Sequence, residues 1–117
     1  MSSNRLLRVN ELLQREISSY LRRKHGGETV GVTITGVEIT GDLREAKVYY
    51  YVVGQAADAA RMGKWLLRKR DEIREMIAKN VVIRHVPLLA FVHDDHAPRT
   101  LRIEALLSEI DAKEGKA

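Results

Sequence analysis

The apolar residues of this chain change their spacing along its length, and that change limits the folds open to it. Over residues 5–24, Leu6, Val9, Leu13, Ile17, Tyr20 and Leu21 recur at steps of three and four, the period of a helix with one buried stripe. Ala46, Val48, Tyr50 and Val52 instead occupy every second position, with Lys47, Tyr49 and Tyr51 between them, as in a strand covered on one face. The helical spacing returns at Met62, Leu66, Ile73 and Ile77. A chain that passes from one period to the other and back packs helices against a sheet.

Local signals set the boundaries. Asn4 suits the N-cap of the first helix, and Gly26-Gly27 ends it. Val30, Val32 and Ile34 alternate, but the phase then jumps to Val37 and Ile39, which predicts a bulge at Thr35-Gly36. Gly41-Asp42 supplies the turn of an antiparallel hairpin. Residues 56–79 read as helical with one conflict, because an unbroken helix would set Lys69 between Leu66 and Ile73 on the core face. A break at Lys69-Arg70-Asp71 removes the conflict and lets Lys69 project into water. The polar face changes there too, from Arg61, Lys64 and Arg68 to Asp71, Glu72 and Glu75, and acids suit the first turn of a new helix. Pro87 interrupts the apolar stretch 81–92, so a third strand is expected over 88–93, paired with the hairpin. Ile103, Leu106, Leu107 and Ile110 predict a short C-terminal helix within 99–111, and 112–117 form a mobile tail. The whole is an α+β domain over 1–111, with helices on one face of a three-stranded sheet.

With 117 residues, 44% apolar and 31% charged, the chain suits one folded domain, and no apolar run approaches the roughly 20 residues that span a bilayer. No membrane is expected as a partner. The first residues carry no export signal and there is no cysteine, so a cytoplasmic location is expected. Its net charge of +4 is unevenly spread. Residues 1–27 hold Arg5, Arg8, Arg15, Arg22, Arg23 and Lys24 against Glu11 and Glu16, while 61–70 hold Arg61, Lys64, Arg68, Lys69 and Arg70 and no acid. Either these are solvated helix faces or they meet a polyanion, whose condensed counterions are released on binding.

Reactive constellations are missing. There is no Gly-rich phosphate loop, no nucleophile elbow and no His-Glu-X-X-His pair, so no enzyme and no cofactor is expected. His93-Asp94-Asp95-His96 has metal-ligand residue types, but neighbours on a strand point to opposite faces, so no metal site is assigned. Tyr49 and Tyr51 share a face and either stack on bases or pack within the fold. Trp65, off the strict stripe, reads as a partly buried packing residue.

Several segments, in this order and spacing, resemble one family. Arg5-X-X-Arg8-Val9, Val32-Thr33-Ile34-Thr35-Gly36-Val37 followed by Asp42-Leu43, Ala46-Lys47-Val48-Tyr49, and Arg84-His85-Val86-Pro87-Leu88-Leu89-Ala90-Phe91 with Asp94 are similar to ribosome-binding factor A. The resemblance covers residues 5–107 and implies a type II KH domain, in the order α-β-β-α-kink-α-β. It implies binding to 16S rRNA on the maturing small ribosomal subunit, help with late rRNA processing and folding, a role in cold adaptation, and a monomer when free. Members have a kink, usually marked by Ala-X-Gly, instead of the Gly-X-X-Gly loop of other KH domains; here Lys69-Arg70-Asp71 stands there and presents two cations. The RNA-binding residues expected are Arg5 and Arg8, Arg61, Lys64, Arg68, Lys69 and Arg70, and Arg84. A KH-like module for short single strands, or a protein-interaction domain, are the other readings of the same chain.

Overall fold

The computed structural model describes residues 3–94, and the elements follow in the order α1 (Ser3–His25), β1 (Val32–Ile39), β2 (Glu45–Val52), α2 (Ala56–Arg68), α3 (Arg70–Asn80) and β3 (Leu88–His93). This is the expected α-β-β-α-α-β order. The predicted 99–111 helix and 112–117 tail lie outside the described residues.

The apolar stripe of α1 does what its spacing requires: Leu13, Ile17 and Leu21 are buried, Leu6, Val9 and Tyr20 pack half-buried against them, and Arg5, Arg8, Arg15 and Arg22 face water. Burying each large side chain contributes about 1.5–3 kcal/mol. Two polar anchors hold α1 along β1. The Asn10 side-chain oxygen accepts a hydrogen bond from the Ile39 N–H at 2.8 Å, and the Gln14 amide donates to the Ile34 carbonyl at 3.1 Å. Higher numbers in α1 meet lower numbers in β1, so the two run in opposite directions. The helix starts at Ser3, which puts Asn4 inside the first turn and not at the cap.

The sheet order is β1-β2-β3, with β1 and β2 antiparallel and β3 parallel to β2. Ile34 faces Tyr50 and Gly36 faces Tyr49, leaving Thr35 unpaired as the bulge. The extra residue resets the phase, so Ile34, Val37 and Ile39 all reach the same core as Ala46, Val48, Tyr50, Val52 and Leu89. Strand β1 begins at Val32, not Val30. Gly31 has a φ of 82°, a left-handed turn that leaves Val30 outside the ladder and exposed. In the hairpin turn the left-handed residue is Leu43, at φ 64°. Burial of the Leu43 side chain, with Asp42 accepting hydrogen bonds from Thr40 Oγ1 at 2.7 Å and the Arg44 N–H at 3.0 Å, offsets the backbone cost.

The helix break falls at Lys69, whose φ of −94° and ψ of 4° depart from helical values. It is shallow. The Lys69 N–H is shared between the Trp65 and Leu66 carbonyls at 3.1 and 3.0 Å, and its own carbonyl accepts from the Ile73 N–H at 2.9 Å. Leu66 and Ile73 on either side are both fully buried.

Candidate nucleic-acid interface

Helix α2 is set by its start. The Gln55 N–H donates to Asp58 Oδ2 at 2.8 Å, and Gln55 and Asp58 together form a capping box. The helix then lies close on the sheet, with Gly63 at the nearest approach: a β-carbon there would come within 2.6 Å of the Tyr50 hydroxyl. With that side committed to Tyr50, Met62 and Leu66, the opposite side carries Arg61, Lys64 and Arg68 at steps of three and four, all exposed. Arg61 is paired with Asp58. Lys64 and Arg68 form no ion pair among the described residues, so their charge faces outward unneutralised.

At the break the cations are more constrained. Lys69 does not project into water as expected. Its side chain is 33% exposed, and its Nζ lies 5.8 Å from the Trp65 ring centroid and 3.9 Å from Glu72 Oε1. An ammonium over an indole face is attracted by the ring quadrupole, which explains how a lysine sits on the inner side of a helix junction. Arg70 is half-buried, and so is Trp65. Around them lies a cluster with no periodic signature. The His25 Nε2 is 2.5 Å from Glu72 Oε2, the Tyr20 hydroxyl donates to the same oxygen, and the His25 ring packs edge-on against Trp65 at 5.1 Å. The His25 and Tyr20 bonds, in that order of weight, hold the Glu72 carboxyl below its ordinary range. Burial, then the bond to Glu72, pushes the Tyr20 hydroxyl up to about 12. Sequence reasoning did not single out His25 or Glu72, because their partners lie on another element.

Arg5, Arg8 and Arg84 stand elsewhere. Arg5 and Arg8 are on the first turns of α1, near the Ile39 end of β1, whereas His25 at the far end of α1 meets the break. At 1.5 Å per residue that separation is roughly 25 Å. Arg84 is exposed in the loop entering β3, where the Leu88 N–H donates to the Arg44 carbonyl at 2.8 Å, so it lies at the hairpin-turn end of the sheet with Arg5 and Arg8. Arg74 pins that loop by donating to the Pro87 and Val86 carbonyls at 3.0 and 3.1 Å. The eight cations thus make two groups, one on α2 and the break and one at the opposite end.

On the open face of the sheet both tyrosine rings meet partners within the fold. Tyr49 and Tyr51 are both half-buried; the Tyr49 hydroxyl donates to Glu38 Oε1 at 2.9 Å, and the Tyr51 ring lies nearly parallel to His93 at 6.0 Å. Asp94 accepts from Thr35 Oγ1 at 2.9 Å, next to the bulge. Among the described residues no group of three or more His, Cys, Asp or Glu is placed to hold a metal, and Asp95 and His96 lie outside them. No described helix is long and apolar enough to cross a membrane.

The model of one family, ribosome-binding factor A, matches residues 5–107. The ribosome-binding factor A of Opitutus terrae is 38% identical over 109 residues, covering 93% of this chain and 89% of the relative. A crystal structure of ribosome-binding factor A from Thermus thermophilus superposes with a TM-score of 0.67 over 75% of this chain and 94% of that one, at 18% identity, which speaks for the fold alone. The Thermus thermophilus protein as fitted into the cryo-EM map of its 30S complex gives 0.58 over 71% of this chain and 88% of that one, at 19% identity. The family is one of ribosome-binding factors and not of enzymes. With the α-β-β-α-α-β order, the helix break and a match across most of the sequence, the chain belongs to the ribosome-binding factor A family.

Proposed function

We propose that this protein is a non-catalytic assembly factor that binds the free small (30S) ribosomal subunit and assists late 16S rRNA processing and folding. The observation that carries the reading is the outward, unneutralised pair Lys64 and Arg68 on α2, beside the cations of the break, in a chain of the ribosome-binding factor A family. Phosphate contacts of this kind fix register and orientation on folded RNA without reading sequence. The Thermus relative was fitted into a map of a 30S complex, which supports the same partner here. The protein acts as a cytoplasmic monomer that joins subunits during maturation, with its greatest demand in the cold, when misfolded RNA is slow to rearrange. Sedimentation of cell lysate through a sucrose gradient tests this. The protein is expected with free small subunits and absent from large subunits and assembled ribosomes; an even spread over all ribosomal fractions, or none in them, overturns the reading.

A further inference from the structure

We infer that Glu72 and His25 are positioning residues of this RNA-binding surface: protonation of His25 frees Lys69 from Glu72 to meet a phosphate. The inference rests on the proposed function and names a control within the same site. One carboxylate faces an imidazole and an ammonium. Its Oε2 is held by His25 Nε2 at 2.5 Å and by the Tyr20 hydroxyl, and its Oε1 lies 3.9 Å from Lys69 Nζ. His25 ends α1 and Glu72 is in the first turn of α3, so each charge also suits the dipole of its own helix.

The groups facing the imidazole come from every neighbouring element. They are Tyr20 on α1, Glu28 at 4.0 Å from Nδ1 in the following turn, Trp65 on α2 with Lys69 over its ring, and Glu72 on α3. Arg23 and Glu75 act on Tyr20 from α1 and α3. Histidine is the side chain whose ordinary titration falls between about pH 5 and 8. Protonated, His25 neutralises Glu72 at the shorter distance, and Lys69 is held only by the face of Trp65. Neutral, His25 still donates a hydrogen bond but brings no charge, and Lys69 becomes the nearest cation to a carboxylate that stays ionised. Because the His25 side chain is only 12% exposed, it acts through Lys69 and not by touching phosphate itself.

The test is binding of purified small subunits at about pH 6 and about pH 8, each over a range of salt. The wild-type slope of log affinity against log salt is expected to be steeper at the lower pH by roughly 0.7–0.9, the worth of one phosphate contact. Glu72→Gln keeps partners for Tyr20 and His25 but cannot hold Lys69 by charge, so it should show the steep slope at both values. Lys69→Ala, at a position one-third exposed, should show the shallow slope at both. A wild-type slope that ignores pH, or a pH dependence that survives in either variant, overturns the inference while leaving the proposed function standing. No binding by the wild type at either pH overturns the proposed function itself.

Discussion

The identity of Gly63 is fixed by a residue of the facing strand. It stands on α2 where a β-carbon would come 2.6 Å from the Tyr50 hydroxyl, which itself donates to the Ala59 carbonyl at 3.3 Å. Gly63→Ala is therefore expected to destabilise the protein by about 1–3 kcal/mol in chemical denaturation, the usual cost of overpacking. In the Tyr50→Phe background the same change should cost less, since the colliding oxygen is gone. Nothing in the sequence marks this contact. The helical spacing named Met62 and Leu66 as core because apolar periodicity reports which side of a helix is dry, whereas Gly63 reports how near the helix lies, which depends on the facing strand. The left-handed Leu43 carries no local signal either, because it is tertiary burial that holds a leucine at that turn position. The Tyr20, His25 and Glu72 cluster joins residues from two helices, and no local pattern records such a meeting.

Elements were legible wherever a local conflict had one resolution. The phase slip between Ile34 and Val37 left no option but the bulge at Thr35, and the ladder has it there. A lysine on a core stripe demanded a break, and α2 ends one residue before Lys69. The fate of the Lys69 side chain was not legible, because the Trp65 face that receives it depends on the angle between α2 and α3. The start of α2 was placed but its cause was not. Asp58 accepts from the Gln55 N–H and belongs to the capping box, so Asp58→Ala should cost about 1 kcal/mol in thermal or chemical unfolding. Asp58→Asn keeps the accepting oxygen and should retain most of that stability; equal losses in both would show that the charge toward Arg61 matters more than the cap.

Among the described residues the eight cations expected to bind RNA divide between two ends, whereas the sequence could report only that they cluster along the chain. Arg5 and Arg8 lie roughly 25 Å along α1 from His25, the residue that meets the break next to Arg68, so the two groups do not share one phosphate. Alanine at either pair should lower the salt slope of small-subunit binding by roughly 0.7–0.9 for each phosphate no longer neutralised, and the two reductions should add. A combined variant no worse than one pair alone would confine the RNA to that end. The parallel pairing of β3 with β2 has a further consequence, for the order in which the chain can fold as it is made. The β1–β2 hairpin is local and closes on the microsecond scale. Its third strand cannot be laid down until α2 and α3, which lie between Val52 and Leu88, have been synthesised. During that interval the bare edge of β2, with its unpaired amides and carbonyls, is open to any neighbouring strand, so a nascent chain halted before Leu88 is expected to aggregate more readily than one that has added β3.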